Sequence, residues 1–294
     1  MIVRLAMHSG FCFGVRRAID LARDAAYGEE NIYTYGALIH NPEYVRELEA
    51  ENIFVVDDIN QLHNSTVIIR SHGIRKQDYE LLKKQGNTII DATCPYVKRT
   101  HDIIEKANKE GYPVYIFGDR NHPEVLGIES YGDERTRIFA PGEDPGEIEH
   151  AKLCIISQTT QKISQLKELA CIVLPHVQEL RVFNTICLAT SQRQKASIDL
   201  AKDSDLMLIV GGKTSANTKM LAQLCSEFCQ SIHIERAREL SGKEFEGKKR
   251  IGIAAGASTP SEHIIEVYNK ILKINGDSVY ATGISEIPLF KEES

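Results

Sequence analysis

Three stretches of this chain share one plan, and that repetition constrains the fold more than any other feature. MIVRLAMHSGFCFGVRRAIDLA, NTIIDATCPYVKRTHDIIEKA and VFNTICLATSQRQKASIDLA each read as an apolar strand, a turn containing cysteine, and a helix carrying Arg or Lys. The cysteines are Cys12, Cys94 and Cys187. A second strand follows each of them and ends in glycine: IYTYG at Gly36, VYIFG at Gly118 and LMLIVG at Gly211, in every case 24 residues after the cysteine. Four residues further on comes a polar residue in front of a helical stretch, namely His40, His122 or Ser215. A third strand (IFVV, RIFA, SIHI) leads through a variable connection to a fourth, which runs into a polar turn. Those turns are RSHG with His72, SQTT with Thr159 and AGAS with Ser258.

Strands alternating with helices predict mostly parallel sheets joined by crossover helices. The expected fold class is therefore α/β, with three pseudo-repeated lobes of small, mostly parallel sheets around one central site. The lobes are expected at 1-94 (Cys12, His40, His72), 95-186 (His122, Glu124, Thr159, with Cys94 at its start) and 187-294 (Cys187, Ser215, Asn217, Ser258 and a C-terminal tail). The PGEDPGEIEH stretch falls where the first lobe has DDINQLHNS, so it reads as a variable connection inside the second lobe. The final SEIPLFKEES reads as a strand or tail packing on a lobe. Ligands of parallel α/β sheets bind beyond the carboxyl ends of the strands, where all these turns lie. Three facing lobes would bring them to one centre.

Composition narrows the classes. A chain of 294 residues with 42% hydrophobic and 26% charged residues can bury a sizeable core. No apolar run approaches the roughly 18 residues that span a bilayer, and MIVRLAMHSGF lacks the charged region and long apolar stretch of a secretion signal. Membrane insertion is not expected. A net charge of -6 lacks the basic field of a nucleic-acid binder. Seven cysteines, an odd number scattered along the chain, suit thiols or metal ligands in the reducing cytoplasm better than a disulfide framework.

At a strand-to-helix turn, backbone N–H groups and the helix dipole favour an anionic thiolate or sulfide, which makes Cys12, Cys94 and Cys187 candidate ligands. Local C-x-x-C spacing is absent, so spacing alone distinguishes neither zinc nor an iron-sulfur group. Three thiolates would leave one coordination position open. Cys154, Cys171, Cys225 and Cys229 lie outside the repeated turn and read as core.

His40, His72, His122, Thr159, Ser215, Asn217 and Ser258 together make a cradle suited to a diphosphate. GGKT is not a P-loop, since Met207 stands where that motif demands glycine. Glu124 falls six residues past Gly118, the offset that Asn217 has from Gly211. Beside a cluster and a diphosphate, negative charge would raise its proton affinity and make it a general acid. Glu43, in HNPEY, shows the same local pattern without an evident acid role.

The segments GFCFGVRRAI, HNPEYV, RSHGI, DATCPYV, NHPEV, SQTT, NTICLATSQRQ, GGKTSANT and AGASTP, taken in order, strongly resemble the 4-hydroxy-3-methylbut-2-enyl diphosphate reductase (IspH/LytB) family. The resemblance implies one 4Fe-4S cluster per chain, held by Cys12, Cys94 and Cys187 with one iron open. It implies a substrate diphosphate bound by His40, His72, His122, Ser215, Asn217 and Ser258, with Thr159 near the reacting hydroxyl and Glu124 as proton donor. The implied reaction ends the non-mevalonate isoprenoid route: two electrons and two protons remove an allylic hydroxyl as water, giving isopentenyl and dimethylallyl diphosphates. A ferredoxin or flavodoxin would supply the electrons. The family often has a second serine where this chain has Ala216, which leaves that position a backbone contact only. The rival readings are a non-catalytic iron-sulfur or metal sensor and a structural zinc protein.

Overall fold

The computed structural model describes residues 1–27, 31–276 and 279–282; SEIPLFKEES lies outside the described residues. In the first third, β1 (Ile2–Leu5) leads through the Cys12 turn to α1 (Phe13–Ala26), followed by β2 (Ile32–Tyr35), α2 (Pro42–Ala50), β3 (Ile53–Val56), β4 (Thr66–Ile69), α3 (Lys76–Lys84) and β5 (Thr88–Asp91). After Cys94 come α4 (Pro95–Lys109), β6 (Val114–Phe117), α5 (Pro123–Glu129), β7 (Arg137–Phe139), β8 (Lys152–Ser157), α6 (Ile163–Val173) and β9 (Glu179–Val182). After Cys187 come α7 (Leu188–Lys202), β10 (Leu206–Val210), α8 (Ala216–Ser226), β11 (Gln230–Ile234), β12 (Arg250–Ala255), α9 (Ser261–Asn275) and β13 (Tyr280–Thr282). The PGEDPGEIEH stretch, between β7 and β8, is irregular.

Three sheets form, in the orders β3-β2-β4-β5, β7-β6-β8-β9 and β11-β10-β12-β1-β13, and every described strand pair is parallel. Named by place in the repeat, the orders coincide: third strand, second, fourth, then the strand that leads to a cysteine. Sequence order counts β1 with residues 1-94, but β1 pairs with β12 and β13 instead. β1 thereby covers on β12 the hydrogen-bonding edge that β5 covers on β4 and β9 on β8.

The chain divides into two compact units. One comprises Met1–Val15, His40–Tyr44 and the chain from Leu188 onward; the other comprises Arg16–Ile39 and Val45–Cys187. The first contains the five-stranded sheet. There β10, LMLIV, is buried at every position, as a strand covered on both faces must be, and packs with Val3, Ile251, Ile253, Ile264, Val267 and Ile271. In the second unit, α4 opens with Pro95 and buries Val97, Thr100, Ile104 and Ala107 on one face, three or four residues apart. Ile104 packs with Val114, Ile116, Val125 and Ile128.

Within each sheet the chain leaves the second strand toward one side and returns with the fourth on the other. The carboxyl ends of these two strands therefore flank a topological switch point, the usual place for a ligand in such sheets.

One expectation about the core fails. Cys154 and Cys225 are fully buried and Cys229 is half-buried, but Cys171 is exposed. Helix α6 turns Leu166, Leu169 and Val173 inward, and Cys171 falls off that face.

Leu208→Ala, at the centre of β10, is expected to lose about 2–5 kcal/mol in urea unfolding. Leu174→Ala, at a site 58% exposed, should stay within about 0.5 kcal/mol of the parent.

Candidate functional site

Each repeated cysteine stands immediately before a helix, and none of α1, α4 and α7 carries an acidic residue in its first turn. The three cysteines are half-buried. Their backbones are held alike: Cys12 N–H donates to the Ala257 carbonyl at 3.2 Å, Cys94 to Ser71 at 3.0 Å and Cys187 to Thr159 at 3.0 Å. The acceptor is in every sheet the second residue past the fourth strand. These thiols therefore stand at helix N-termini, beside unbonded backbone N–H groups. Burial instead pushes the thiols of Cys154 and Cys225 up to about 12, which keeps them protonated and inert.

Strand register corrects one equivalence in the repeat. Ile69, Ser157 and Ala255 occupy matching positions, opposite Tyr35, Phe117 and Val210. Thr160 therefore matches His72 and Ser258, and Thr159 takes the place of Ser71 and Ala257. The turn after β2 differs as well. His122 caps α5, its Nδ1 accepting from Glu124 N–H at 3.2 Å, and Ser215 caps α8, its Oγ accepting from Thr218 N–H at 3.3 Å. Before α2 the cap is Asn41, whose Oδ1 accepts from Tyr44 N–H at 3.3 Å. His40 is thus one residue outside the cap. Because the first lobe counts one residue more, Glu43 rather than Pro42, six residues past Gly36, is the structural counterpart of Glu124 and Asn217.

In the second unit Glu124 is 2% exposed. One carboxylate oxygen accepts from Thr159 N–H at 2.7 Å, and the other accepts from the Thr159 hydroxyl at 2.8 Å. Burial pushes this carboxyl up to about 6, against the two Thr159 hydrogen bonds that favour its ionised form. The rings of His72 and His122 meet edge to face, 5.6 Å between centroids. With His122 Nδ1 accepting, the proton of the neutral ring sits on Nε2, as a donor.

In the first unit the polar turns hold buried polar atoms. Asn217 is 5% exposed and Ser258 7%. Neither the Asn217 amide oxygen and nitrogen nor the Ser258 hydroxyl has a hydrogen-bond partner among the described residues. Ala216 opens α8, where a helix leaves its first N–H groups unbonded. Gly212 admits the chain of residue 40 closely, since a Cβ there would run into the His40 carbonyl. Glu43 differs from Glu124: it is ion-paired with Arg238 at 3.0 Å and Arg236 at 3.7 Å.

Two residues of these turns escape a reading by repeats. Asn41, 4% exposed, also donates from Nδ2 to the Ser258 carbonyl at 3.4 Å. Its signal was an Asn before Pro at a helix start. Arg193, on α7, is buried in line with Thr190, Ser197 and Leu200. An arginine at helical spacing on a buried face is the signal that identifies it.

These features define a class: a parallel α/β protein with cysteine turns and a buried carboxyl of raised proton affinity at the carboxyl ends of its strands. The family model described as LytB protein matches residues 3–272, and the chain belongs to that family. A Nitratiruptor protein named 4-hydroxy-3-methylbut-2-enyl diphosphate reductase is 43% identical over 277 residues, 93% of this chain and 99% of that one. A solved structure of (E)-4-hydroxy-3-methyl-but-2-enyl diphosphate reductase, described as the terminal enzyme of the non-mevalonate pathway, matches with TM-score 0.70 and 40% identity, covering 92% of this chain and 99% of that one. The Plasmodium falciparum E-1-hydroxy-2-methyl-but-2-enyl-4-diphosphate reductase matches with TM-score 0.86 and 25% identity, covering 98% and 94%.

The Glu124 shift has a measurable sign. Its folded value, about 6, lies above the ordinary 4.5, so between these values the folded state binds more protons and stability falls as pH rises. The stabilisation is complete below about pH 4.5 and lost through about pH 6, a change of about 2 kcal/mol. Comparing urea unfolding of the cluster-free parent and Glu124→Gln across this range should show the difference moving toward the variant; parallel curves would place the carboxyl at its ordinary value.

Proposed function

We propose that this chain reduces 4-hydroxy-3-methylbut-2-enyl diphosphate in the cytoplasm, using two electrons and two protons to remove the allylic hydroxyl as water and release isopentenyl and dimethylallyl diphosphates. The observation that carries the reading is the buried Glu124 carboxyl with the Thr159 hydroxyl on it at 2.8 Å. The Thr159 hydroxyl in contact with that carboxyl offers a proton held there a short route out.

Cys12, Cys94 and Cys187 would hold a 4Fe-4S cluster. When bound, that group supplies electrons and an open Lewis-acid iron. Glu124, whose proton affinity burial raises, holds a proton and passes it by way of the Thr159 hydroxyl to the departing oxygen, so that water rather than hydroxide leaves. His40, His72, His122, Ser215, Asn217 and Ser258 bind the diphosphate. The Asn217 amide and Ser258 hydroxyl bring donors that are already desolvated, and the His122 Nε2–H adds another. The Ala216 N–H serves where a second serine hydroxyl is absent. A ferredoxin or flavodoxin delivers the electrons through a small, transient contact.

The deciding experiment is anaerobic turnover of this substrate with reduced methyl viologen, with iron and sulfide measured on the same sample. Both five-carbon diphosphates should appear from protein holding about four irons per chain; a full cluster without turnover would favour a sensor. Glu124→Gln should keep its iron and lose about 10²–10⁴-fold in turnover, the usual worth of a general acid. Cys94→Ser should lower the iron content, and unaltered iron would remove Cys94 from the ligand set.

A further inference from the structure

The chemistry above leaves unused a buried cation beside the Cys12 turn. Arg193, in the second turn of α7, is 2% exposed, and its Nη2 donates to the Gly10 carbonyl at 2.7 Å. Gly10 lies two residues before Cys12 and has φ +91°, a conformation that L side chains rarely adopt. An arginine is charged at every working pH and costly to take out of water, whereas an apolar residue would fill the same helix face without that cost. The charge is therefore placed for a reason beyond packing.

A second arginine repeats the arrangement. Arg17, in the second turn of α1, donates from Nη1 to the Thr93 carbonyl at 3.4 Å, and Thr93 immediately precedes Cys94. In both cases a helix that begins after one cysteine sends a guanidinium to the backbone of another cysteine's turn. Helix α4 departs from the pattern. Arg99, which matches Arg17 in distance from its cysteine, is exposed, and Thr100, which matches Arg193, turns its hydroxyl back to the Tyr96 carbonyl at 3.1 Å.

We propose that Arg193 and Arg17 are positioning residues for the Cys12 and Cys94 ligand turns, and that their charge raises the reduction potential of the iron-sulfur group bound there. The inference rests on the assignment of these cysteines as ligands. Reduction adds one negative charge to the group, and a fixed cation nearby stabilises the reduced form most where solvent screening is least. Arg193 should accordingly act more strongly than half-buried Arg17.

The test is an anaerobic redox titration of the holoprotein and its Arg193→Gln, Arg193→Lys and Arg17→Gln variants, with iron content and the EPR spectrum of the reduced sample. Arg193→Gln should titrate at a more negative midpoint than the parent. Arg193→Lys, which keeps the charge but not the planar fork, should recover most of the shift, a rescue that a purely structural role would not produce. Arg17→Gln should shift the midpoint less, in the same direction. If Arg193→Gln does not fold, Arg17→Gln decides alone. Parent midpoints in the glutamine variants at full iron content would overturn the proposal, whereas a parent protein without iron would overturn the ligand assignment itself.

Discussion

In every sheet the N–H of a cysteine donates to the carbonyl two residues beyond the neighbouring strand, Cys12 to Ala257, Cys94 to Ser71 and Cys187 to Thr159. The bond depends on parallel pairing. Only strands running the same way put the turn that follows one of them beside the turn that follows the other. Register matters as much, since a slip of one residue between β4 and β5 would turn every side chain of β5 to the opposite face. The thiol-bearing turn and the polar turn are consequently one construction, made wherever a cysteine strand closes a sheet. At β1 that closure is made by the first strand of the chain against one of the last.

The same backbone plan carries side chains of different fate because the surroundings differ. Glu43 and Glu124 both follow proline in the first turn of a short helix. Two arginines reach Glu43, and its carboxylate is neutralised by ion pairing at the protein surface. Glu124 is enclosed: burial raises its proton affinity, two Thr159 hydrogen bonds lower it, and burial prevails. Two carboxylates on one motif thus differ in proton affinity, a division that environment rather than residue type controls. Asn217 occupies the equivalent place on α8 with no charge at all, which suits it to a ligand that brings its own.

Much of this was legible in the residues. The fixed interval from each cysteine to Gly36, Gly118 or Gly211 exposes the repeat, and the alternation of apolar strands with helices yields the parallel sheets. Counting along the chain fails where pairing, rather than order, decides. Nothing local in MIVRL says that β1 belongs beside β12, because strand propensity carries no information about partners. Counting also fails by one residue at His40, where the turn gains a residue while the strands keep register, and at Thr159, which register aligns with Ser71 and Ala257 rather than with His72 and Ser258. Cys171 was misplaced for a related reason: a cysteine in an apolar helix suggests burial, but only the positions of Leu166, Leu169 and Val173 reveal which face is turned inward.

Thr159 shows what this place past the fourth strand can do. Its carbonyl accepts the Cys187 N–H, its own N–H binds one oxygen of Glu124 and its hydroxyl binds the other. A residue at the place of His72 or Ser258 lies one position further along and would not offer its backbone to the cysteine turn in this way. A threonine here ties the Cys187 turn and the Glu124 carboxyl together through a single residue, whose N–H and C=O belong to the peptide units on either side of it. The Cys187 backbone and the Glu124 carboxyl then hold a fixed relation without any direct contact between them, and the hydroxyl that would carry the proton cannot turn away without giving up its hydrogen bond to the acid. Positioning of this kind costs nothing at the moment of reaction, since the geometry is settled when the sheet forms.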